Sequence, residues 1–133
     1  LKGVRVLGPV RGRTQIEVSI SDAFKLGVEP IVRNSGDVKD TPGAKIVGPK
    51  GEVELEDGVI VAARHIHMHT SDGEKFGVKD KDIVKIKTEG MRSLVFENVL
   101  IRVGDKFALE MHVDIEEGNA AGVKNGDLVE LIK

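Results

Sequence analysis

"HIHMHTSDGEKFGVKD" (residues 65–80) alternates histidine with apolar residues, then turns polar and closes on Phe-Gly-Val. The alternation His65, Ile66, His67, Met68 has the period of a β-strand, in which every second side chain shares a face. Ser71-Asp72 then reads as a helix N-cap and Gly77 as a left-handed helix end, so a helix of about two turns is expected over Ser71–Phe76. The unit occurs three times. Aligned on Gly27, Gly77 and Gly122, the segments read "QIEVSISDAFKLGVEP", "HIHMHTSDGEKFGVKD" and "EMHVDIEEGNAAGVKN". The other two helices are expected over Ser21–Leu26 and Ile115–Ala121. A unit of this size cannot bury its apolar face alone and must pack against its copies.

Around the repeats, "VRVLG", "TQIEVSI", "AKIVG", "EVELE", "GVIVAARHIHM", "DIVKIK", "LVFENVLIRV", "FALEMHV" and "DLVELI" read as strands bounded by Gly, Pro, Asn and Asp. "GPKGE" (48–52) reads as a hairpin turn and "NSGDVKDTPG" (34–43) as a polar loop. The pattern is mainly β, with helix confined to three short segments.

Composition narrows the function. The net charge of −2 over 133 residues, with no Trp or Tyr, lacks the basic stripe and stacking aromatics of a nucleic-acid binder. No apolar run approaches the ~20 residues that span a membrane, and no signal peptide is visible. The absence of cysteine removes disulfides, a thiolate nucleophile and sulfur ligands. The chain opens without methionine, already in strand-like alternation, which suggests that something upstream has been removed.

Ten residues before each aligned glycine stand Glu17, His67 and His112; twelve before stand Gln15, His65 and Glu110. A lone His-x-His on a strand is commonly a wet face. Recurrence of metal-competent side chains at equivalent repeat positions favours instead a shared site for a borderline ion such as Zn²⁺. Glu17, His67 and His112 are expected to approach one another, with His65 adjacent. His69, at the strand end, reads as a surface residue. Arg11 follows a Gly-Pro turn and is either an anion-binding guanidinium or an ordinary surface arginine. "VRNSGD" (32–37) fits an anion loop or a plain turn.

Together, "VRVLGPVRGRTQIE", "RNSGD", "VGPKGEVEL", "GVIVAARHIHM", "FGVKDKD" and "ALEMHVDIEEGNAAGVKNGD" resemble the Pdu-type phosphate propanoyltransferases of propanediol-degrading bacterial microcompartments. The resemblance implies two small β-barrels with short capping helices, a first over residues 1–62, incomplete at its N-terminus, and a second over 63–133. It implies a two-metal site, with Zn or Co or another divalent ion, ligated by Glu17, His65, His67 and His112. Arg11 would be the catalytic, phosphate-binding arginine, with Ser35 beside the phosphate. The reaction implied interconverts acyl-CoA (propanoyl-CoA) plus phosphate with acyl phosphate plus CoA.

The expected partners are acyl-CoA or CoA, phosphate, further copies of the chain and microcompartment shell or core proteins, but no nucleic acid or membrane. The expected location is the cytoplasm, with residence in a microcompartment lumen left open. The family also has an earlier His-x-His strand upstream of "VRVLGPV", so the first one or two strands are expected to be missing and the chain alone to have little activity. Two rival readings are a non-catalytic, double-psi-like β-barrel binding module, suggested by the phrases Gly77–Ile86 and Gly122–Leu131, and a metal-dependent thioester hydrolase.

Overall fold

The short apolar runs fold as ten strands and three helices in a computed structural model that describes residues 1–133. In chain order these are β1 (Ile16–Glu17), α1 (Ile20–Leu26), β2 (Val32–Arg33), β3 (Ala44–Gly48), β4 (Gly51–Leu55), β5 (Val59–Ala62), β6 (His65–Met68), α2 (Thr70–Phe76), β7 (Ile83–Lys87), β8 (Val95–Val103), β9 (Glu110–His112), α3 (Ile115–Ala121) and β10 (Glu130–Ile132). The architecture is mainly β with short capping helices. The chain divides into two units, Leu1–Ala62 and Ala63–Lys133.

In the first unit, β5 lies between β1 and β2 and runs parallel to both. Parallel strands flanked on both sides are covered on both faces and read as continuous apolar runs. Val59, Ile60 and Val61 are accordingly all buried. β3 and β4 form a separate antiparallel hairpin in which Gly48 pairs with Gly51 across the Pro49-Lys50 turn. Buried Thr41 stitches the unit together, its hydroxyl donating to the Val38 carbonyl and accepting from the Gly58 amide.

In the second unit the strand order is β10-β7-β8-β6-β9. β6 runs parallel to β8 on one side and antiparallel to β9 on the other. Alternate residues of β6, β7 and β8 build the core: Ile66 and Met68, Val84 and Ile86, and Val99 and Ile101, joined by Phe96, Val78 and Ala121. β9 ends the sheet beside β6.

The repeat is visible in the backbone. Each helix has seven residues and ends at Gly27, Gly77 or Gly122 in the left-handed region, with φ of 70°, 65° and 68°. An L side chain is disfavoured in that conformation, so glycine at these points fixes where the helices stop. The N-caps are Ser19, His69 and Asp114, each eight positions before its glycine. The sequence reading began the first two helices at Ser21 and Ser71. They begin one residue earlier because the capping acceptor is Ser19 Oγ, bonded by Asp22 N, and His69 Nδ1, bonded by Ser71 N. Asp114 forms a full capping box with Glu117. Glu117 also pairs with Arg64 at 3.1 Å. Burial nevertheless raises its carboxyl above the usual range, outweighing the Asp114 amide and Arg64, which pull it down.

Five expected strands differ. "VRVLG" pairs with nothing and leaves Val4, Val6 and Leu7 exposed, because alternation makes a strand only where a partner takes up its backbone hydrogen bonds. "GVIVAARHIHM" breaks between Ala62 and His65, where the two units meet along the chain. "TQIEVSI", "FALEMHV" and "DLVELI" pair only over Ile16–Glu17, Glu110–His112 and Glu130–Ile132.

The capping box gives a direct test. Asp114→Ala should lower stability by about 1 kcal/mol, within the usual range for a lost N-cap, while Asp114→Ser should retain most of it. Urea unfolding of the two variants checks this; equal stability of Asp114→Ala and the parent would contradict it.

Candidate metal centre

The pairing register of β6 assembles the site. In the antiparallel pair with β9, His65 stands opposite His112 and His67 opposite Glu110. Directly paired residues share a face of the sheet, so imidazoles from two strands converge. The ring centroids lie 4.9 Å apart for His65 and His67, 5.0 Å for His65 and His112, and 4.7 Å for His67 and His112. One ligand atom from each of the three lies within 4.8 Å of the others. Nitrogens around a single tetrahedral zinc, each bonded at 2.0–2.1 Å, stand about 3.4 Å apart. A small closure of the rings therefore brings the trio onto one ion.

Proton positions favour the same use. His65 Nδ1 lies 2.9 Å from the Ala63 carbonyl, which can only accept. The neutral ring therefore carries its proton on Nδ1 and its lone pair on Nε2, the arrangement that metal-ligating histidines usually show. His67 Nε2 and His112 Nε2 are buried with no hydrogen-bond partner. An orphaned buried polar atom costs about 1–3 kcal/mol, and a metal ion would satisfy both. Glu110 lies near this group, its Oε2 3.7 Å from His112 Nε2. Burial lowers the His67 pKa from 6.5 to about 4, helped by His65, His112 and Arg102 and opposed by Glu110. The ring is thus neutral, with a lone pair to give, at ordinary pH.

A second network occupies the first unit. Gln15 Nε2 donates to Glu17 Oε1 at 2.7 Å and to Ser35 Oγ at 3.0 Å, while its Oε1 accepts from the Gly36 amide at 2.7 Å. Arg11 Nη1 donates to Ser35 Oγ at 3.4 Å. Nearby, Arg13 pairs with Asp57. The structure thus joins Arg11, Ser35 and Glu17 through Gln15, and separately joins His65, His67 and His112. The sequence reading noted Gln15 as the repeat counterpart of His65 without giving it a role; here it is the hub. His69, read as a surface residue, is a helix cap. Phe107, given no role from sequence, stacks on His67 with ring centroids 4.2 Å apart and planes 3° from parallel.

An apolar groove lined by Ile66, Met68, Phe96, Met111 and Leu128 also lies in the second unit. It adjoins the Ile66–Met68 face of β6, opposite the imidazoles.

A family model described as phosphate propanoyltransferase matches residues 1–124. The chain belongs to the phosphate propanoyltransferase family. It is 58% identical over its whole length to a phosphate propanoyltransferase from Thermotoga maritima, covering 64% of that protein. It is 51% identical, again over its whole length, to one from Rhodopseudomonas palustris, covering 59%, and 48% identical over 99% of its length to one from Lachnoclostridium phytofermentans, covering 62%. The chain thus spans about six-tenths of the length of these family members. No helix of the chain is long and apolar enough to cross a membrane.

The depressed His67 pKa sets a pH dependence. In the metal-free chain, between pH 6.5 and about 4 the unfolded state takes up a proton that folded His67 refuses. The unfolded state then binds more protons, so stability falls as pH drops through that window and is unaffected by this group above it. His67→Gln lacks this titration and should lose less stability over the same range. Urea midpoints measured across the window check this; identical pH slopes for the two proteins would contradict it.

Proposed function

We propose that the chain carries the metal and phosphate sites of a phosphate acyltransferase that interconverts acyl-CoA plus phosphate with acyl phosphate plus CoA. The observation that carries this reading is the family match over residues 1–124, a stretch that holds every residue of both networks. The histidine geometry supports the metal half of it. His65, His67 and His112 would hold a divalent ion such as Zn²⁺ or Co²⁺; a two-metal site with Glu17 as a carboxylate ligand rests on the sequence resemblance alone. When bound, such ions polarise an acyl carbonyl and stabilise the charge that develops on its oxygen.

The chain's own residues do the rest. Arg11 offers a guanidinium shaped for two oxygens of inorganic phosphate and offsets part of its negative charge. Ser35 Oγ, held by Gln15 and Arg11, fixes the edge of that anion site. Phosphate oxygen attacks the thioester carbonyl carbon, the new C–O bond forms, and the C–S bond breaks. CoA leaves as thiolate and takes a proton. With no cysteine in the chain and Ser35 Oγ accepting from Arg11 and Gln15, direct transfer is the simplest course. Propanoyl-CoA as the acyl donor, two β-barrel domains over 1–62 and 63–133, self-association and residence in a microcompartment lumen in the cytoplasm extend the reading on the strength of the sequence resemblance.

In the polypeptide as the cell makes it, Arg11→Ala should remove a charge-assisted contact of about 1.5–3 kcal/mol and lower phosphate-dependent acyl-CoA cleavage by roughly ten- to a hundredfold, leaving bound metal unchanged. His67→Ala should lower metal content and activity together. Wild-type turnover in Arg11→Ala would refute its role. Cleavage that proceeds equally without phosphate would favour thioester hydrolysis instead.

A further inference from the structure

The three imidazoles are oriented by different means. His65 is fixed by its hydrogen bond to the Ala63 carbonyl, whereas no hydrogen bond reaches the buried Nε2 of His67. What His67 has is a parallel aromatic neighbour, Phe107, with centroids 4.2 Å apart and planes 3° from parallel.

The chain builds a seat for that phenyl ring. β8 ends in a tight turn in which the Phe107 amide donates to the Gly104 carbonyl at 3.1 Å, and the Gly104 amide donates to the carbonyl of Met68 at the end of β6. Thr70, at the start of α2, bonds Asp105 within the turn. The ring folds back over Gly104, where an added Cβ would stand 3.1 Å from Cδ2 and 3.2 Å from Cε2. A side chain at 104 would press on the phenyl ring and require it to give by a few tenths of an ångström. The Arg102 guanidinium, on the residue of β8 paired with His67, lies 5.9 Å from the Phe107 ring centroid. Cations near an aromatic face are attracted to it, so the phenyl ring has neighbours from both β6 and β8.

We propose that Phe107 is a positioning residue for the metal centre, holding the His67 ring by face-to-face stacking so that its ligand nitrogen stays beside those of His65 and His112. This rests on the metal reading above. A ligating imidazole is usually fixed by a hydrogen bond from its other ring nitrogen; face-to-face contact with a phenyl ring fixes the plane of His67 from its face instead of its edge. Phe107 touches no reacting atom in this role; it limits rotation of the His67 ring, so less freedom is lost when an ion binds.

The test uses the polypeptide as the cell makes it, with Co²⁺ as the probe and no activity assay. Co²⁺ titration followed by visible absorption should give about tenfold weaker binding in Phe107→Leu, which keeps an apolar side chain but no ring. Phe107→Tyr should restore the affinity. The urea midpoints of the metal-free variants separate this from a stability effect: Phe107→Leu and Phe107→Tyr should differ in Co²⁺ affinity by more than in stability. In metal-free parent protein, the His67 ring protons should be shifted upfield by the phenyl face, a measurement that needs no variant to fold. Unshifted His67 resonances, or equal Co²⁺ affinity in parent and Phe107→Leu, would overturn the positioning role. Failure of the parent to bind Co²⁺ would overturn the metal reading itself and this inference with it, even where the upfield shift is present.

Discussion

The register of β6 is the constraint on which the site depends. Ile66 and Met68 are buried at 4% and 1% exposure, and burying two such side chains contributes about 1.5–3 kcal/mol each. A slip of one residue would exchange the two faces of the strand, driving His65 and His67 into the aliphatic core. The core therefore sets the register, and the register sets the imidazoles opposite β9. The desolvation cost of orphaned nitrogens on His67 and His112, about 1–3 kcal/mol apiece, is of the same size as the burial that holds them there. A metal ion would remove that cost, which ties ligand binding directly to the stability of the second unit.

The two networks solve different electrostatic problems. Around His67, burial, two neighbouring imidazoles and Arg102 all oppose protonation, leaving lone pairs for a cation at neutral pH. In the first unit, a neutral amide mediates instead: Gln15 uses both ends of its side chain, donating to Glu17 and Ser35 and accepting from the Gly36 amide. Ser35 Oγ is thereby presented to Arg11. One unit offers neutral nitrogen donors and the other a guanidinium.

Much of this was legible in the sequence. The glycine-aligned repeat located all three helices and placed His67 and His112 at equivalent positions, because a left-handed helix end demands glycine and a strand demands alternation. The hairpin at Pro49-Lys50 followed from its turn residues. Other features depend on pairing between distant segments. His69 as an N-cap was missed because serine, threonine and aspartate are the usual acceptors. Phe107 carried no signal, since its stack arises from a turn closing beside the end of β6. The alternation of "VRVLG" promised a strand, yet alternation states which face would be buried, not whether a partner is present.

The central claim is that the three clustered imidazoles are a metal centre. X-ray anomalous scattering at the zinc edge, from crystals of the chain grown with stoichiometric Zn²⁺, tests it most directly. The expected result is a peak coordinated by nitrogens of His65, His67 and His112 at about 2.0–2.1 Å. Crystals with no ordered zinc at these side chains, or with zinc held only by surface carboxylates elsewhere, would contradict it.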